Sequence, residues 1–86
     1  MLKIYGSRLC VDCADCRYAL DKAGVAYEFL DFADDLHHLK AFLALRDTDP
    51  AFSQSKAEGK IGIPCILRED GSVTLDWSGY VSQANA

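Results

Sequence analysis

The chain opens with a strand, a helix and a second strand inside its first thirty-two residues, and no other feature limits the fold as tightly. Leu2-Lys3-Ile4-Tyr5 alternates in polarity and then meets Gly6-Ser7, the pattern of a short strand running into a loop. From about Asp12 to Ala23 the pattern turns helical, with Ala14, Tyr18 or Ala19, and Ala23 at helix spacing and Gly24 as the C-cap. Val25-Ala26-Tyr27-Glu28-Phe29-Leu30-Asp31-Phe32 reads as the second strand. Two strands joined this way form a parallel pair with a right-handed crossover.

The remainder extends that unit. Leu36, Leu39, Lys40, Phe42, Leu43 and Leu45 suit a second helix, whose start the acids from Asp31 to Asp35 favour. Asp47-Thr48-Asp49-Pro50 breaks it, and Pro50 is well placed to begin a further short helix capped by Thr48 or Asp49. Gly59-Lys60-Ile61-Gly62 is a loop into a strand Ile63-Pro64-Cys65-Ile66-Leu67. Glu69-Asp70-Gly71-Ser72 makes a hairpin turn to Val73-Thr74-Leu75, and Ser78 is expected to cap a last short helix through Val81. The order β-α-β-α-β-β-α predicts an α/β protein: a mixed four-stranded sheet with helices on both faces, similar in outline to the thioredoxin fold.

At 86 residues, 1–86 is expected to be a single domain with one core, which a 50% apolar composition can fill. The net charge is −4, with Arg17, Lys22, Lys40 and Lys60 scattered among acids, which argues against a nucleic-acid surface or adsorption to an acidic membrane. Met1-Leu2-Lys3-Ile4-Tyr5-Gly6 is strand-like and lacks the apolar stretch of a secretion signal, so the expected compartment is cytoplasmic. Thiols stay reduced there. Four cysteines then point to catalysis or metal rather than to a disulfide framework.

Cys10-Val11-Asp12-Cys13 lies where the first strand ends and the first helix begins. Residues three apart share a helix face, so both sulfurs come within bonding distance. Unsatisfied N–H groups at the helix start favour a thiolate on the first cysteine. Arg8 adds a positive charge nearby, whereas Asp12 and Asp15 oppose it. Cys10 is the expected nucleophile, and Cys13, one turn further in, resolves the mixed disulfide.

The segment from Ile4 to Arg17, with Cys10, Cys13, Cys16 and Arg17 in it, resembles the glutaredoxin active-site segment, and Gly62-Ile63-Pro64-Cys65-Ile66 resembles that family's Val-Pro segment. The resemblance implies a thiol–disulfide oxidoreductase in which Cys10 and Cys13 are catalytic. It also implies that Pro64 is a cis-proline and that the backbone of Ile63 faces the substrate. There are departures. Val11 and Asp12 stand where the family usually has proline and tyrosine, and Ser7 stands at a commonly basic position, with Arg8 one place later. Asp76-Trp77-Ser78-Gly79 occupies the region of the Gly-Gly pair that holds glutathione, and the stretch from Asp31 to Ile63 is longer than in a compact glutaredoxin. Arg8, Ile63, Pro64, Asp76 and Trp77 are thus the expected substrate-facing residues. Glutathione is expected to bind weakly or not at all, and no tightly bound cofactor is expected. The implied partners are a disulfide-containing protein or small molecule and a thiol reductant, either glutathione or a reductase.

Other residues carry alternatives. Cys16 is either a small residue packing the first helix on the sheet or a third thiol exchanging with Cys13; Cys65 is either an apolar strand position or a neighbour of the active site. All four cysteines together would make a zinc or iron–sulfur site, the competing function of a metal-binding or redox-sensing module, although their spacing disfavours it. His37 and His38, adjacent on a helix, point in different directions and are expected to face solvent. Asp31 is expected to be a surface acid near a helix, and Trp77 either a core plug or the wall of a substrate groove.

Overall fold

The structure, a computed structural model, describes residues 1–84. Strand β1 (Leu2–Gly6) is followed by α1 (Val11–Lys22), β2 (Tyr27–Asp31), α2 (Leu36–Thr48), a 3₁₀ turn (Pro50–Phe52), α3 (Ser53–Ala57), β3 (Cys65–Leu67), β4 (Val73–Thr74) and α4 (Trp77–Ala84). The four strands form one mixed open sheet in the order β2-β1-β3-β4, with β1 parallel to β2 and antiparallel to β3, and β3 antiparallel to β4. Both β1 neighbours keep in step: Ile4 pairs with Phe29 on one side and Ile66 on the other.

Strand alternation divides the core in two. Leu2, Ile4 and Ile66 face α1 and α4, meeting Cys16 and Leu20 from one and Trp77, Tyr80 and Val81 from the other. Tyr5, Leu30 and Cys65 face the opposite way, onto Phe42 of α2 and Phe52 of the 3₁₀ turn. Phe42 is the hub of that side, packing edge-on to Phe52 at 5.6 Å and tilted against Phe32 at 5.1 Å. The expected helices on both faces are present. Among the described residues, no helix is long and apolar enough to cross a membrane.

Local chemistry explains the boundaries. Asp35 caps α2 by accepting the His37 N–H at 2.8 Å, and Asp49, rather than Thr48, caps the 3₁₀ turn at the Ala51 N–H. Helix α1 ends in two bonds, Gly24 N–H to the Asp21 carbonyl and Val25 N–H to that of Leu20, a closure that needs Gly24 at φ +72°. Helix α4 is capped by Asp76, which accepts the Gly79 N–H at 3.1 Å, and not by Ser78; the helix therefore starts earlier, and it runs on past Val81. The strands are shorter than expected. β2 starts at Tyr27, and β3 starts only at Cys65, because the backbone of Ile63 and Pro64 is looped rather than paired.

The buried face of α1 is Cys13, Cys16 and Leu20, not the line of Ala14 and Tyr18; Tyr18 is 67% exposed. Cysteines at i and i+3 supply the packing side chains here, and alanines are too small to mark a face by themselves.

Candidate active site

Strand β1 delivers the chain to a tight turn, closed by the Cys10 N–H donating to the Ser7 carbonyl at 3.1 Å. Cys10 is the N-cap of α1, with extended backbone, and its carbonyl accepts the first helical bond from Ala14. Its sulfur accepts the Cys13 N–H at 3.4 Å, the position a Ser or Asp oxygen takes at other helix starts. A negative sulfur there is stabilised by a peptide N–H and by the helix terminus. Cys10 is half-buried; Cys13, Cys16 and Cys65 are fully buried, and all four are thiols.

Cys13 sits against β1 where only glycine leaves room. A methyl group on Gly6 would lie 2.6 Å from the Cys13 sulfur and 3.3 Å from the Phe29 ring. Burial pushes the Cys13 thiol up to about 12; the Ser7 backbone N–H opposes this, and the neighbouring Cys10 and Cys16 sulfurs add to it. Burial likewise raises Cys16 to about 11, and raises Cys65 to about 12 with a contribution from Asp49. The thiols behind Cys10 are therefore protonated near neutral pH.

In front of Cys10 lies an open cavity of about 620 Å³. One wall is the β1–α1 turn with Leu9, Cys10 and Asp12; the other is the 59–63 loop with Lys60, Ile61 and Ile63. The Ile63–Pro64 peptide is cis, as the resemblance implied, and Pro64 is buried. Cys10 and Ile63 thus share one cavity, whereas Pro64, expected to face the substrate, is buried and outside its lining.

The other expected substrate residues have different partners. The Arg8 guanidinium grips Asp34 through two bonds of 2.9 and 3.0 Å and lies 3.0 Å from Asp31, so its charge is turned to the end of β2. Asp76 is occupied as the α4 cap, and Trp77 packs on the α1 side of the core, the plug rather than the groove wall. Cys65 faces Tyr5 and Phe42 across the sheet from Cys16, so the strand account holds for it and the packing account for Cys16; the four sulfurs do not converge. Among the described residues, no group of three or more His, Cys, Asp or Glu is placed to hold a metal ion. His37 is exposed, whereas His38 is half-buried.

Asp31 is not a surface acid. It is 0% exposed and accepts the Arg8 N–H at 3.0 Å and the Ala33 N–H at 2.8 Å, besides pairing with the Arg8 side chain. Its register partner is Gly6, so it ties the loop bearing Cys10 to the sheet. Asp31→Asn loses the ion pair and sets an amide against donors. Buried pairs cost several kcal/mol to break, but Arg8 is 57% exposed, so about 2 kcal/mol is expected, a fall of about 10 °C in melting temperature. Thermal denaturation followed by circular dichroism checks this, and an unchanged midpoint would remove Asp31 from the scaffold of the site.

Sequence reasoning missed two groups. Leu9 and Ile61 are 95% and 59% exposed beside Cys10; their signal was an isolated aliphatic residue within polar loops at the site. Arg46 of α2 bonds the carbonyls of Lys60 and Ile61, a contact across fourteen and fifteen residues that leaves no local signal.

The chain is 39% identical over 75 residues to an uncharacterized protein of Haemophilus influenzae, an alignment that covers 87% of each. The chain belongs to that protein's family. No family model matches it, and no solved structure does.

Proposed function

We propose that this protein is a thiol–disulfide oxidoreductase with a thioredoxin-like fold, related to the glutaredoxins and using Cys10 and Cys13 as a dithiol/disulfide couple. The observation that carries the reading is the arrangement of the pair. A half-exposed sulfur at a helix N-cap accepts the N–H of a second cysteine, which is itself buried one turn inward. Ile63, on the loop opposite, lines the same cavity as Cys10 and supports it.

In the reducing direction the Cys10 thiolate attacks one sulfur of the substrate disulfide. A Cys10–substrate S–S bond forms, and the second substrate sulfur leaves with the electron pair of the broken bond. The first leaving sulfur takes its proton from solvent, where Cys10 lost its own on ionising. Cys13 then attacks the Cys10 sulfur and its proton passes to the departing thiolate, so the substrate gains two electrons and two protons as Cys10–Cys13 is oxidised. A raised Cys13 keeps that proton until the leaving group is ready to take it. An external thiol or reductase restores the dithiol, chemistry suited to the reducing cytoplasm.

Glutathione suits the cavity poorly. It carries two carboxylates, while Lys60 in the lining is already paired with Glu58 at 3.1 Å and Asp12 lines the same space. The test is titration of the purified protein against dithiol/disulfide buffers, with metal content measured alongside. A reversible two-electron couple assigned to Cys10–Cys13 in metal-free protein is expected. Regeneration by a thioredoxin-type reductase system is expected to outpace that by glutathione. Stoichiometric metal on the thiols, or no Cys10–Cys13 disulfide under oxidising conditions, would overturn the reading.

A further inference from the structure

We infer that Arg46 is a positioning residue of the dithiol site: its guanidinium fixes the loop opposite Cys10, so that an entering disulfide meets a wall already in place. The inference rests on the oxidoreductase reading and adds to it a residue outside the cavity lining.

The loop has little to hold its own shape. Its residues 59–63 belong to no strand or helix. Gly59 and Gly62, at φ +70° and +95°, bracket Lys60 and Ile61 with backbone that glycine leaves free to turn. The Lys60 N–H donates to the Ser55 carbonyl at 2.8 Å, and among the described residues no other backbone–backbone bond is made by residues 60–63. Pairing resumes only at Cys65, opposite Tyr5 on β1. Between those two points the N–H groups of Ile61, Gly62 and Ile63 have no partner among the described residues, nor do the carbonyls of Gly62 and Ile63.

Arg46 supplies what that backbone lacks. Its Nε donates to the Ile61 carbonyl at 2.9 Å and its Nη2 to the Lys60 carbonyl at 2.8 Å. Nε and Nη2 lie on one edge of the planar guanidinium. The two bonds therefore fix orientation as well as distance, which a single ammonium cannot do. The donor is itself anchored, half-buried in the last turn of α2 and one turn after Phe42, the hub of that side of the core. Among the described residues no carboxylate is within ion-pair range of Arg46, so these donors serve the loop and not an acidic side chain. Ile61 and Ile63 line the cavity with Cys10, and Arg46 does not. It touches no reacting atom and acts through the loop.

The test uses the full chain, its Arg46→Ala and Arg46→Lys variants, and one probe, a short cysteine peptide as its mixed disulfide with thionitrobenzoate. The Cys10 thiolate attacks the peptide sulfur, a Cys10–peptide disulfide forms, and the coloured thionitrobenzoate anion leaves with the electron pair of the broken bond. Following release against probe concentration separates the half-saturating concentration from the limiting rate. Arg46→Ala is expected to raise the half-saturating concentration about tenfold, the worth of one to two net hydrogen bonds, with the limiting rate within about twofold of the parent's. Where release does not saturate, its second-order rate constant should fall by the same factor. Arg46→Lys, which reaches one carbonyl at a time, should lie between the two. Alkylation of Cys10 by iodoacetamide, and its dependence on pH, should be the same in all three, because that small reagent does not use the wall. The inference is overturned by parent-like capture in Arg46→Ala, by an iodoacetamide rate that falls in step with capture, or by Arg46→Lys doing no better than Arg46→Ala. A parent protein whose Cys10 takes iodoacetamide but releases no thionitrobenzoate would sink the oxidoreductase reading itself, and the inference with it. If Arg46→Ala fails to fold, Arg46→Lys decides alone, and parent-like capture by it would overturn the inference.

Discussion

Cys10→Ser is expected to abolish disulfide reduction, whereas Cys13→Ser should stop the reaction at a mixed disulfide that survives electrophoresis without reductant. The asymmetry follows from where the sulfurs sit. Cys10 combines access to the cavity with an N–H and a helix terminus to stabilise its thiolate. A serine hydroxyl at that cap keeps the hydrogen bond but is not ionised near neutral pH, so nucleophilic attack is lost by many orders of magnitude while the fold is retained. Cys13 is enclosed against Gly6 and protonated, and it meets the substrate only after Cys10 has formed a mixed disulfide with it. Its serine variant therefore forms the first intermediate at the parent rate and cannot release it. Mass spectrometry of the trapped species assigns the linkage. A Cys10→Ser protein with undiminished turnover, or a trapped adduct on Cys16 or Cys65, would reassign the nucleophile.

The reduced protein should lose stability steeply as pH rises from about 9 to 11. Burial lifts Cys13, Cys16 and Cys65 from an ordinary 9.0 to about 12, 11 and 12. In the unfolded chain all three ionise near 9; in the native protein they stay protonated well beyond it. The unfolded state then binds fewer protons than the native one, so the stability held by the neutral buried thiols is complete below pH 9 and falls as pH climbs toward the folded values. Each thiol contributes about 1.4 kcal/mol per pH unit, hence about 4 kcal/mol per unit for the three together. Small domains hold only about 5–15 kcal/mol, so unfolding near pH 11 is expected. Buried Tyr5 and half-buried Tyr27, both also raised, steepen the fall above pH 10. Urea denaturation in phosphine reductant across this range measures the slope. Cys65→Val, which replaces a buried thiol with an apolar side chain on the far face of the sheet, should cut it by about one third. A midpoint independent of pH up to 11 would contradict the protonated burial of these thiols.

Much of the fold was legible because its signals are short-range. Alternation over Leu2–Tyr5, the Gly24 closure of α1 and Pro50 opening a turn each act within a few residues, and the structure carries all of them. The spacing of Cys10 and Cys13 was equally local: three residues at a helix start are enough to put one sulfur on the cap and the other behind it. Interactions across twenty residues or so were not legible in this way. Arg8 was read as a charge for the thiolate, and Asp31 as a surface acid, because neither reveals by its neighbours that β1–β2 pairing brings them together over twenty-three residues. The same holds for Trp77 and Cys65, whose faces depend on strand register.

The sequence by itself determined the order of strands and helices and the placement of the dithiol at the start of α1, since hydrophobic period, capping and cysteine spacing act along the chain. Tertiary structure alone decided which thiols are buried, where the Arg8 charge goes and that Arg46 holds the wall facing Cys10. Those depend on which surfaces meet once the sheet closes, and burial and ion pairing take their energy from neighbours that lie far away along the chain.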